Sequence, residues 1–197
     1  MTTTIRQVTQ QWKKNMFRLA LLSGISLVVP VFAAAGSGIQ DTENAHHGHE
    51  HESPARLVEI VRNATRRFID VNAATYAEYH PFLGCISGPD HGAMGVHYVN
   101  GSLVGDGEID ASRPEALIYE PDGGRLRLVG VEFIVDAATW LSNHDSPPVL
   151  EGQSFQLVNS PNRYALPAFF ELHVWAWREN PNGAFVDWNN RVTCEGQ

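Results

Sequence analysis

From Cys85 onward the chain is a succession of short β-type runs separated by turn chemistry, and this pattern constrains the fold more than any other feature. The runs cover residues 95–100, 115–120, 125–135, 154–159 and 168–178, with Gly-Pro-Asp, Asn-Gly, Pro-Asp-Gly-Gly, Ser-Pro-Pro, Ser-Pro-Asn and Pro-Asn-Gly as breaks. Strand and helix do not alternate, which disfavours a parallel sheet built from crossover units. One helical stretch precedes the runs. Leu57, Val61, Ala64, Phe68, Val71, Thr75 and Tyr79 recur at helical spacing, opposite Arg56, Glu59, Arg62, Arg66, Arg67 and Asp70. Ser53 and Pro54 suit an N-cap and first turn, while Pro81 and Gly84 stop the helix near Tyr79 or His80. A short helix over 136–141, capped by Asp136, is also expected. The predicted fold class is α+β: an antiparallel curved sheet or small β-barrel with one long N-terminal helix packed on it.

The first 18 residues carry Arg6, Lys13, Lys14 and Arg18 without an acid, and the apolar run 19–35 follows. Residues 1–35 therefore read as a signal peptide, with Pro30 ending its helix and Ala33-x-Ala35 offering the small side chains of a cleavage site. The competing reading is an uncleaved anchor, but 17 residues interrupted by Ser23, Gly24, Ser26 and Pro30 are short for a span. Residues 36–53 form a disordered His-rich tether and 54–197 a single globular domain, periplasmic or secreted, with no stable membrane span after cleavage. In an oxidising compartment Cys85 and Cys194 are most simply a disulfide. The alternative is a thiolate nucleophile served by His80 or His91.

Charge narrows the chemistry. Lys plus Arg number 14 against 22 Asp plus Glu, a net charge of −8; without residues 1–35 this becomes −12, with ten arginines and no lysine. An acidic chain is a poor partner for nucleic acid, and a lysine-free one has no Schiff-base chemistry, lysine base or P-loop. Gly-x-Ser-x-Gly, His-Glu-x-x-His, Cys-x-x-Cys and Cys-x-x-Cys-His are also missing, which argues against familiar serine hydrolases, zincins, thioredoxins and c-type haem attachment.

Nine histidines remain as the notable resource. His46, His47, His49 and His51, interleaved with Glu50 and Glu52, either hold zinc, copper or nickel loosely or simply belong to a solvated linker. Within the domain, a hairpin over 115–135 with the loop 121–124 places Glu120 opposite Arg125 and puts Glu120, Arg125 and Arg127 on one side. Glu132 then falls on the other, in an apolar row with Leu117, Tyr119, Leu126, Leu128 and Ile134, although a one-residue slip would reverse the two. A buried carboxylate needs an Arg, a His or a metal. The run 169–177 sends Phe170, Leu172, Val174 and Ala176 to the core and Glu171, His173, Trp175 and Trp177 to the opposite face. That second face suits a pocket lining, or a strand face covered by another element. His97, in Met-Gly-Val-His-Tyr-Val-Asn, is by itself an ordinary interior histidine. With Glu132 and His173 it completes a His, His, carboxylate set suited to a divalent transition metal, Zn, Fe, Mn or Cu. His91 is a candidate fourth ligand or general base, and Glu171 a candidate partner of the ligands in catalysis. Tyr98, Trp175 and Trp177 are candidate binding residues for a cofactor or apolar ligand, and Arg163 is either an anion clamp or a surface arginine.

The segments Gly-Ala-Met-Gly-Val-His-Tyr-Val-Asn, Arg-Pro-Glu-Ala-Leu-Ile-Tyr-Glu-Pro and Glu-Leu-His-Val-Trp-Ala-Trp, with the terminal Cys194, resemble a group of exported bacterial proteins. The resemblance implies export and carries no catalytic role. The strand position of His97 also invites comparison with cupins, but Val96 and Tyr98 flank it and no second His lies two residues away. Three functional readings follow: a metal-dependent enzyme acting on a small molecule, a non-enzymatic metal-handling protein using the tether, and a binding module for an apolar small molecule.

Overall fold

The computed structural model describes residues 54–88 and 90–195. The signal peptide, the tether and the Ser53 cap lie outside the described residues. The first helical segment is α1 (Pro54–Thr65), a 3-10 turn (Arg66–Ile69) and α2 (Val71–Tyr76). One long helix is therefore not what forms. The Thr65 hydroxyl bonds back to the Val61 carbonyl at 2.7 Å, and Asp70 takes an extended backbone whose Oδ1 accepts the Asn72 N–H at 2.9 Å. That is a new N-cap in mid-segment, and the apolar spacing runs through it unbroken. The Tyr119 hydroxyl donates to the Phe68 carbonyl at 2.7 Å, tying the turn to the sheet.

Seven of the remaining elements are β1 (His80–Gly88), β2 (Gly92–Val99), α3 (Gly101–Val104), β3 (Ala116–Asp122), β4 (Arg125–Asp136), α4 (Ala137–Leu141) and β5 (Val149–Leu150). β6 (Gln153–Ser154), β7 (Gln156–Val158) and β8 (Phe169–Val174) complete the chain order. β5 pairs with β6 alone, and the other strands make one curved antiparallel sheet in the order β1-β2-β3-β4-β8-β7. The α+β expectation with a curved sheet holds. β1 starts inside the stretch read as a helix stop, because Pro81 is tolerated on an edge strand. α4 is capped as expected, the Asp136 carboxylate accepting the Thr139 N–H at 2.8 Å.

The two faces of the sheet differ. Leu57, Val61 and Phe68 pack on Leu117, Tyr119, Val131, Phe133, Phe170, Leu172 and Val174. Each such buried side chain contributes about 1.5–3 kcal/mol, so this helix-covered face carries most of the stability. The opposite face has only smaller clusters, one of them around Phe82, Val99, Ala116, Ile134 and Phe169, and it holds the polar groups.

The β3–β4 hairpin corrects two expectations. Asp122 pairs with Arg125 across a two-residue loop in which Gly123 and Gly124 have φ of 57° and 81°, so Glu120 faces Arg127 rather than Arg125. Both positive φ values are those that the twist of a tight hairpin demands. Pairing then steps from Tyr119↔Leu128 to Ile118↔Gly130, leaving Val129 as an extra residue. The Val129 carbonyl instead accepts the Trp177 and Arg178 N–H groups at 3.1 and 3.0 Å. A one-residue bulge reverses the alternation beyond it. Glu132 consequently shares a face with Ala116, Ile118 and Glu120, and not with Leu117, Tyr119, Leu126 and Leu128 as the regular pattern predicts. Ile134 does accompany it. Cys85 and Cys194, 109 residues apart, form a disulfide with a Cα–Cα distance of 5.6 Å.

Candidate metal centre

The sheet brings His97 of β2, Glu132 of β4 and His173 of β8 together on the face away from the helices. Glu132 and His173 are direct cross-strand partners, and His97 lies over them from beyond Ile118 and Gly130. Close approach depends on glycine. A Cβ on Gly130 would come 2.8 Å from the Val174 carbonyl, and one on Gly95, at φ +96°, would come 2.7 Å from the Tyr119 carbonyl. One donor atom from each of His97, Glu132 and His173 lies within 4.8 Å of the others. His97 Nε2 is 3.3 Å from Glu132 Oε2, and the two imidazoles meet edge to face with centroids 5.8 Å apart. All three side chains are buried.

Burial sets their protonation. It lowers the His97 imidazole to about 4 and the His173 imidazole to about 3, with His97 adding to the effect on His173. Both rings are neutral at ordinary pH, the form in which histidine ligates metal. Burial raises the Glu132 carboxyl well above the usual range, and the charge of neighbouring Glu171 raises it further. Glu171 is also raised by burial, against a hydrogen bond from Glu132. Two adjacent carboxyls, both raised, hold a proton between them in the metal-free protein. Both ring nitrogens of His173, together with Glu171 Oε2, have no hydrogen-bond partner among the described residues. Buried polar atoms are nearly always paired, and each exception costs about 1–3 kcal/mol. Two neutral imidazoles beside carboxylates can hold a divalent transition metal, a donor set open to Zn, Fe, Mn or Cu.

Comparison with protein-family models, curated proteins and solved structures finds no match for this chain. The site must be read from its own geometry.

The other candidate residues are divided between the two faces. Glu171 is beside Glu132. Trp175 stacks on His173 with centroids 6.3 Å apart and donates through Nε1 to the Val186 carbonyl at 2.6 Å. Tyr98 and Trp177 do not join it. Neighbours on a strand point to opposite faces, so Tyr98 packs on Tyr119 at 5.0 Å, on the helix side. β8 ends at Val174, where Trp175 N–H turns away to the Ala184 carbonyl, and Trp177 reaches Thr65 Oγ1 of α1 at 3.0 Å. The aromatic trio expected to line one pocket is therefore split. His91 is exposed, outside the three-donor group, and borders an open cleft with Gln156, Asn182, Phe185, Asp187 and Trp188. Arg163 is exposed.

Two site residues escape the sequence patterns. Tyr164 lines a narrow apolar pocket with His97, Glu132, Phe82, Leu166 and Phe169, a cavity of about 30 Å³ that has room for about one or two waters. Its hydroxyl lies 3.8 Å from Met94 Sδ, and burial, helped by the charges of Glu132 and Glu171, raises its phenol. Asp187 Oδ1 is 3.6 Å from His173 Nδ1 and accepts a hydrogen bond from Gln156 Nε2. Both residues sit in irregular segments where periodicity is silent. The one available signal for Asp187 is its place between Val186 and Trp188, an acid held by large apolar neighbours.

Proposed function

We propose that this is an exported protein whose His97, Glu132 and His173 hold a divalent transition metal at the inner end of the apolar pocket, where the metal acts on a small molecule. The carrying observation is that three buried donor atoms, drawn from three strands, lie within 4.8 Å of one another. A metal so held supplies a Lewis acid or an activated water. The chain's own groups do the rest: Glu171 lies beside Glu132, Trp175 stacks on His173 and holds the plane of its ring, and Phe82, Leu166 and Phe169 restrict the pocket to small, apolar-compatible molecules. Export is supported by the basic-then-apolar N-terminus and the disulfide.

Metal analysis after exhaustive dialysis tests the reading in a chain carrying His46→Ala, His47→Ala, His49→Ala and His51→Ala. At least about one equivalent of Zn, Fe, Mn or Cu should remain, and His97→Ala should lower the content by about one equivalent. Less than about a tenth of an equivalent, unchanged by His97→Ala, sinks the centre and leaves the tether as the metal-handling element.

A further inference from the structure

His173 belongs to two groups of donors. The first is His97, Glu132 and His173; the second is Glu171, His173 and Asp187, whose donor atoms also lie within 4.8 Å of one another. Resting on the metal reading above, we propose that the centre takes two divalent metal ions with His173 between them, the second held by Glu171, His173 and Asp187.

Satisfaction of buried atoms is the main argument. An ion in the first group satisfies one nitrogen of His173 and leaves the other, with Glu171 Oε2, buried and without a partner among the described residues. An ion in the second group satisfies both. Nδ1 is the nitrogen 3.6 Å from Asp187, so it serves the second ion and Nε2 the first. An imidazole bound through both nitrogens has lost its ring proton, and this proton passes to solvent together with the one held between Glu132 and Glu171. Its negative charge, with those of Glu132, Glu171 and Asp187, then matches the charge of two divalent ions. Buried charge is tolerated when it is compensated in this way.

Access is the second argument. His97 and Glu132 of the first group line the narrow cavity of about 30 Å³, whereas Asp187 is half-buried on the wall of a cleft of about 450 Å³. That cleft also presents His91, Gln156, Asn182 and Trp188. The second ion is thus the one solvent and polar molecules can reach, and Asp187 is its outermost ligand.

Zn²⁺ alone, titrated into the full chain bearing the four tether substitutions and followed by native mass spectrometry, decides the matter. The expected result is two ions per chain, falling to one in Asp187→Asn, with that last ion lost in the further variant His97→Ala. Glu171→Gln, a near-isosteric change, should also bind one ion, and metal-free circular dichroism checks that each variant is folded. One ion in both the parent chain and Asp187→Asn overturns the two-ion proposal and leaves the single centre standing. No ion in the parent chain overturns both.

Discussion

His173 is 1% exposed, and neither ring nitrogen is hydrogen-bonded among the described residues. A group arranged for an ion is a burden to the fold without one, so His173→Leu should stabilise the metal-free protein by about 1–2 kcal/mol while abolishing metal binding. Urea denaturation in a chelator reads the first effect and metal analysis the second. Equal or lower stability would mean that the ring is satisfied by contacts other than metal. Glu115 offers a separate test. Burial raises its carboxyl from 4.5 to about 8, although its Oε2 accepts the Ile134 N–H at 2.9 Å. The native state therefore keeps a proton that the unfolded chain loses. Its stabilisation is complete below pH 4.5 and is lost as the pH rises through about 8. Glu115→Gln should flatten that decline by a few kcal/mol, measured as the difference between the two proteins' unfolding free energies at pH 5 and pH 8.5. The chemistry of His97, Glu132 and His173 was legible in residue type, because a carboxylate among apolar residues and histidines inside strands demand partners. Asp187 and Tyr164 were not, since their segments have no repeating period to set them apart.

Strands and turns were legible where alternation and turn chemistry coincide, as in the hairpin's Gly-Gly and the Asp136 cap. Departures came where tertiary contacts override the period: Asp70 restarts the helix, and the Val129 carbonyl leaves the β3 ladder for the Trp177 and Arg178 N–H groups. Glu132 is buried beside His97, His173 and Glu171, on the face opposite to the one the regular pattern predicts, for that reason. Backbone strain makes a test at this scale. Gly95→Ala would force a side chain into φ +96° and against the Tyr119 carbonyl, costing about 2–4 kcal/mol and shifting His97. Thermal unfolding reads the cost, and reduced metal retention reads the shift. Tyr119→Phe should cost about 1–3 kcal/mol, because it orphans the Phe68 carbonyl and loosens the 3-10 turn. A loss below the error of denaturation measurements would show that the turn does not need this tie.

At the scale of the molecule, the disulfide closes a loop of 109 residues between the edge strand β1 and the C-terminal segment. The chain-entropy relation assigns roughly 4–5 kcal/mol to a closure of that length. Reduction should lower the urea midpoint correspondingly, and an unchanged midpoint would argue against the bond. The same segment is pinned near its end where the Thr193 N–H donates to Glu120 Oε1 at 3.0 Å, and it carries Asp187. Reduction should therefore loosen the cleft side of the centre before the strand-borne side. The extra residue at Val129 carries a different lesson. Were Val129 paired in the ladder instead of bulged, no acid, no histidine and no charge would be lost, yet Glu132 would turn toward the helices and leave His97 and His173 without their carboxylate. A chain can thus keep every donor of this centre and still lack the centre, for what assembles it is one residue left out of the β4 ladder.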